Sequence, residues 1–425
     1  WLLPRVEFVS DRDAEQVFAA AAGHGDLEMF ALLRAIENGH LAVAQFLASH
    51  GYPLDPPERW RIVASARFGD LEMLKWLHEH QYTSRLKGWM REAAVAGHLH
   101  VVKWAHENLP GDYSSTDAMD EAARYGHLEI VQWLHANRAD KCTALVMDLA
   151  AGHGHLDVVQ WLHANRDEGC STWAMDCAAE LGRLSVIKWL HEHRPEGCTP
   201  LAMDAAAARG RLEVVKWLHE NRSEGCTTYA MDSAAANGHL EILQWLHEHQ
   251  DEGCTTFAMG EAAGNGHLEV VKWLHEHRTE GCTTSAMDSA AQNGHLRVVE
   301  WLHENRTEGC SVAAMNYCAS VPMLRWLHAH RTEGCTDSAM ADAVRSGNFE
   351  KLLFLKETGL GRFQDRFAAA ALESGNFEMF QWLRANSPSE WTSTEAFQPR
   401  GGGGTESMGA MFFQFEIGRG DAVHQ

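Results

Sequence analysis

Several things are scarce or missing in this 425-residue sequence, and each absence closes a class of function. No apolar run approaches the ~20 residues that a membrane-spanning helix needs. The opening WLLPRVEFVSDRDAEQ turns acidic too early for a secretory leader. The chain is therefore expected to be soluble and intracellular, in the cytoplasm, although Trp1 stands where an initiator Met would, which leaves room for an upstream part. Basic residues are outnumbered, 36 against 58 acidic, for a formal charge of −22, and no Lys/Arg cluster of six or more occurs. Nucleic acid and anionic membrane both require a basic face, so neither is an expected partner. Charging all 27 histidines would bring −22 to +5, but only well below the histidine pKa of about 6.5. There is no phosphate-binding glycine motif, no nucleophile elbow, no HExxH and no Cys-x2-Cys pair. No enzyme activity and no cofactor are expected.

What is abundant is repetition. Trp in the setting WLH stands at 76, 133, 161, 189, 217, 245, 273, 301 and 326, with WAH at Trp104, and most steps are 28 residues. The same ruler meets Phe354 and Trp382 beyond, and Phe46 before. Seven residues ahead of Trp stands glycine, from Gly69 and Gly97 to Gly266 and Gly294. Cysteine recurs at 142, 170, 198, 226, 254, 282, 310 and 335, followed by Phe363 and Trp391. Self-similarity at such a period signals a stacked array.

Residues 254–281 show what one unit contains. TTFAMGEAAGN carries small and apolar residues at helical spacing, a Thr able to cap the start, and Asn265-Gly266 to stop it in a left-handed turn. HLEVVKWLHEHR sets Leu268, Val271, Leu274 and His275 along one stripe, with Val270 and Trp273 beside it. The unit is thus predicted to be a helical hairpin whose stripe is too large to bury alone. AMDSAAANGHLEILQWLH (230–247) resembles the ankyrin repeat, usually phrased close to TPLHxAAxxGHxxVVxxLL. AMD replaces TPLH, WLH replaces the paired leucines, and the unit is about five residues shorter than the usual ~33, a loss that falls in the projecting finger. The chain is similar to the short-period ankyrin arrays of oomycetes and related protists. The resemblance covers roughly residues 14–386 and implies an all-α, ankyrin-like solenoid of about 13–14 stacked antiparallel hairpins with shortened fingers.

The expected organisation is a solenoid over 1–386, a partial terminal repeat over 387–400, and a Gly-rich linker with a disordered tail over 401–425. The turns at Gly25 and Gly39 are only 14 apart, as if the first two units were fused. The unit at 310–334 is irregular: CASVPML (318–324) lacks the Asn-Gly-His turn and contains Pro322, which predicts a distorted hairpin and a bend.

Nearly every His, Cys and Asp is copied at the repeat period, which marks it as part of the unit's construction rather than of a unique catalytic group. The repeated Cys reads as a small buried residue at the joint between units. Disulfides between equivalent cysteines exceed the ~7 Å Cα limit. The tryptophans read as cohesive packing. A metal- or pH-responsive His/Cys array is the alternative, and so is a substrate-recognition arm of a larger protein.

One slot varies. Three residues after each Cys the chain has Leu145, Trp173, Leu201, Tyr229 and Phe257, then Ser285, Ala313 and Ser338. Five consecutive large side chains at the start of the first helix, bordered by Asp148, Asp176, Asp204 and Asp232, form a candidate partner-binding strip. By analogy with ankyrin arrays it lies on the inner face; otherwise it fills gaps between fingerless units. If open, it suits an amphipathic or basic-apolar segment of a protein partner bound by a monomeric scaffold.

Overall fold

A computed structural model describes residues 35–36, 38–51, 59–80, 88–109, 115–138, 143–361 and 366–386. The expected features at Gly25, Cys142, Phe363, Trp391, the partial repeat over 387–400 and the tail over 401–425 lie outside the described residues. Among the described residues the regular elements are all helices, and none is long and apolar enough to cross a membrane. The chain divides into two compact units, Trp1–Thr283 and Thr284–Gln425.

The all-α array of antiparallel hairpins is present as expected. In residues 254–281 the first helix is Thr256–Gly264 and the second Leu268–His277. The Thr255 hydroxyl accepts the Phe257 amide, satisfying one of the donors that a helix start leaves open. Gly266, at φ 80°, turns the chain. Ala258, Met259, Ala262 and Ala263 of the first helix are buried, as are Val270, Val271 and Leu274 of the second. Within the first unit, first helices pack side by side in a row: Trp173–Glu180 lies between Leu145–His153 and Leu201–Ala208, and Thr228–Ala236 lies between Leu201–Ala208 and Thr256–Gly264. Second helices form the other row. In the second unit the first-helix row is Thr284–Gln292, Val312–Tyr317, Asp337–Arg345 and Arg366–Glu373.

The turn glycine answers two demands. Its φ is positive, and the next hairpin's turn side chain lies where a Cβ would be: His127 over Gly97, His155 over Gly126, Arg183 over Gly154. His98 and His127 also reach back to the carbonyls of Arg67 (2.9 Å) and Val95 (3.2 Å). The histidine after the turn glycine is thus a tie to the preceding hairpin.

The irregular hairpin is shortened rather than broken at Pro322. Its first helix is only Val312–Tyr317. Pro322 sits in the first turn of Val321–His330, where the missing amide costs nothing, and Ser320 caps the start. The carbonyls exposed by the lost turn are met by Lys351, a lysine 1 % exposed, whose Nζ donates to Asn316 O (3.0 Å), Cys318 O (3.3 Å) and Asp342 Oδ2 (2.8 Å). An isosteric apolar side chain keeps the volume and removes all three bonds. Lys351→Met is expected to lower unfolding free energy by about 3 kcal/mol, read from urea melts; a loss within about 0.5 kcal/mol would show that the bonds are replaceable by water.

Candidate interaction surface

All five large side chains of the variable slot are exposed: Leu145 39 %, Trp173 49 %, Leu201 60 %, Tyr229 59 % and Phe257 67 %. They stand in the first turns of five successive first helices, all within the first unit. Gap filling does not describe them.

A hydrogen-bonded relay behind four of the five sets their positions. The amides of Trp173, Leu201, Tyr229 and Phe257 bind the hydroxyls two residues earlier, Ser171 (3.1 Å), Thr199 (3.3 Å), Thr227 (3.1 Å) and Thr255 (3.1 Å). Each of these hydroxyls donates in turn to an aspartate of the preceding hairpin: Ser171 to Asp148 (2.7 Å), Thr199 to Asp176 (2.8 Å), Thr227 to Asp204 (2.7 Å) and Thr255 to Asp232 (2.7 Å). The same residue's amide donates to the other carboxylate oxygen, at 2.8 Å in all four. The aspartates expected at the border of the strip are therefore placed otherwise: Asp148, Asp176 and Asp204 are buried and Asp232 is half-buried, with both oxygens of each committed to the next hairpin. Burial pushes the carboxyls of Asp148 and Asp176 above their ordinary value, against the pull of these hydrogen bonds. In the second unit Asp288 holds Ser311 in the same way, and Asn316 holds Thr336 through its Oδ1 (2.8 Å) and Nδ2 (2.9 Å). The strip is thus the five apolar side chains, with the aspartates as the anchorage of Trp173, Leu201, Tyr229 and Phe257.

The second-helix row carries a different lattice. Tryptophans of this row meet a histidine one hairpin back in a T-shaped pair, as in His135–Trp161, His163–Trp189, His191–Trp217 and His247–Trp273, with centroids 5.2–5.3 Å apart. The Nη1 of the arginine that follows the second helix meets the Nδ1 of that histidine, Arg166 to His135 at 3.1 Å and Arg222 to His191 at 3.3 Å. The same arginines hold the glutamates two residues on, Arg166–Glu168 and Arg222–Glu224. A nitrogen that accepts from a guanidinium faces a cation, which is poor ground for a metal ion. Among the described residues no group of three or more His, Cys, Asp or Glu stands together as a metal site. Among the described residues the cysteines are free and half-buried or buried. Burial pushes the thiols of Cys170, Cys198 and Cys254 up to about 11 and that of Cys226 to about 12, so they are inert packing groups. Sequence reasoning missed this arginine bridge; the recurring Arg-x-Glu-Gly-Cys phrase was its only signal, because the partners are 31 residues apart.

Two family models match the chain. One described as ankyrin repeats in many copies matches residues 90–135, 119–163, 175–219 and 203–247, and one described as ankyrin repeats in three copies matches 231–316. Together they span just over half of the 425 residues. No curated protein matches the chain.

Two positions depart from the anchor. Asp120 has its Oδ1 buried without a hydrogen-bond partner, and burial first, then Asp117 and Glu121, push its carboxyl up to about 6. The raised folded value means that the native state holds the proton more tightly than the unfolded chain does. Stability is therefore lost as pH rises from about 4 to about 6. Asp120→Asn installs the amide that the array already carries at the equivalent Asn316. It is expected to stabilise by about 1 kcal/mol at pH 7 after allowance for solvent screening and to flatten that pH window, as thermal melts from pH 4 to 7 would record. Gly260 occupies the anchor position with no carboxylate at all, and a Cβ there meets no atom within 4 Å. Gly260→Ala should gain about 1 kcal/mol of helix propensity, as chemical denaturation would record.

Proposed function

The chain belongs to the ankyrin-repeat family, whose repeats mediate protein–protein interaction, and on that premise we propose that it is a non-catalytic scaffold binding a segment of a protein partner along the row of first helices. The observation that carries this is the exposure of Leu145, Trp173, Leu201, Tyr229 and Phe257 in one structural slot, while their neighbours Val146, Ala174, Ala202, Ala230 and Ala258 are buried. A contiguous apolar surface costs hydration free energy in the unbound chain, and its large aromatic members are of the type that dominates contact energies. Each hairpin adds one such side chain, so affinity grows with the number of hairpins engaged. The charge of −22 favours a basic partner and disfavours phosphate-rich ones, nucleic acid and anionic membrane alike. The reading holds equally for a monomeric scaffold in the cytoplasm and for the recognition arm of a larger protein.

Changing Trp173, Tyr229 and Phe257 together to Ser removes three of the five contacts from exposed positions, so helicity should be unchanged. Affinity capture from a native lysate with the intact chain beside this variant is expected to retain a partner on the first and lose it on the second. Retention of the same partner by both would move the contact away from the strip.

A further inference from the structure

Building on the strip as the contact surface, we infer that its occupant is a proline-rich, basic segment in the polyproline II conformation, with an apolar side chain at every third residue.

The argument begins with spacing. Equivalent residues of successive first helices are separated by the distance between helix axes. The faces in contact are made largely of alanine, as at Ala150, Ala151, Ala178, Ala179, Ala206 and Ala207, and packed helices lie about 8–10 Å apart. A bound chain must return a side chain to the same face at that step. A β-strand does so every second residue, at about 6.7 Å, and misses it. An α-helix does so every seventh, at about 10.5 Å, just beyond the range. Polyproline II does so every third, at about 9.3 Å, inside it. Four steps from Leu145 to Phe257 then correspond to about 13 residues.

Relief favours the same occupant. One helical turn beyond the five side chains stand Leu149, Cys177, Ala205, Ser233 and Glu261, four of them small or already half-buried or buried. Beside the exposed five, these positions offer little further side-chain surface, which suits a thin extended chain better than a helix about 10 Å across. Polyproline II leaves its carbonyls without internal partners, and the Trp173 indole N–H and the Tyr229 hydroxyl are donors two hairpins apart. The charge is complementary at both ends. Asp117 occupies the slot one hairpin before Leu145 and is exposed, and exposed Glu261 follows Phe257 by one turn. Lys or Arg at the two ends of the segment would meet them.

The test is isothermal titration of the full chain with three synthetic peptides of equal charge. The first has a 13-residue core with Leu at positions 1, 4, 7, 10 and 13 and Pro between, and one Arg added at each end, 15 residues in all. The second has the same composition with Leu spaced irregularly, and the third is an amphipathic helix with Leu every seventh residue. The first is expected to bind at least tenfold more tightly than either of the others, and to weaken about tenfold when Trp173, Tyr229 and Phe257 are changed to Ser. Equal affinity for the first two peptides would overturn the register argument. Tighter binding of the helix, if abolished by the same triple change, would overturn the polyproline occupant while keeping the strip as contact surface. Binding of the first peptide that ignores the triple change would overturn both readings, and absence of binding by all three overturns the inference.

Discussion

The buried carboxylate that accepts both the amide and the hydroxyl of the next hairpin's Ser or Thr is the contact on which the rest of the array's geometry depends. Hydrophobic packing alone is tolerant of sliding: a row of alanines and methionines would pack nearly as well if one hairpin slipped along its neighbour. Two hydrogen bonds to two oxygens of one carboxylate, each about 2.7–2.8 Å, leave no such freedom. A hydrogen bond to a charged group contributes about 1.5–3 kcal/mol, offset by the burial of that charge, so the net gain in stability is smaller than the gain in register. The Ser or Thr also accepts the amide of the slot residue, and register thereby passes to the exposed side chain.

The other row of helices achieves cohesion by different means. Tryptophans meet histidines one hairpin back edge to face, and an arginine following the second helix, such as Arg166, joins that histidine to the glutamate of its own loop. Where the arginine is replaced, Gln250 reaches His219 at 2.8 Å with a neutral amide and the contact persists. The two faces therefore divide their labour. Residues of the second row bond to each other, whereas the first-helix row ties its anchoring aspartates inward and presents the large slot side chains. This division is why a strip of large apolar residues can stand exposed without belonging to the core.

Irregular positions obey the same physics. Loss of the turn in the hairpin around residue 318 uncovers backbone carbonyls, and a buried lysine from a later helix supplies the missing donors. Asn316 replaces the anchoring aspartate with an amide that can donate as well as accept, and the register is kept. Such repairs are made by side chains distant in sequence, Lys351 being 35 residues from Asn316.

The period of 28, the two helices of each unit, their caps and turns, the buried face and the likeness to ankyrin repeats were all legible in the residues, because each depends on spacing within one hairpin. So was the identity of the variable slot, since comparing copies separates what every unit needs from what differs. Tertiary structure alone decided which polar groups the repeats share. Asp148, Asp176, Asp204 and Asp232 looked like the acidic border of a surface, and are anchors, because their partners lie 23 residues away on the next hairpin. The turn histidine, the arginine bridge and Lys351 were hidden for the same reason. Spacing along the chain reveals what a residue does within its own helix, but whether a side chain faces solvent or a neighbour is set by how the hairpins stack, and the exposure of Trp173, Tyr229 and Phe257 is a property of that stacking.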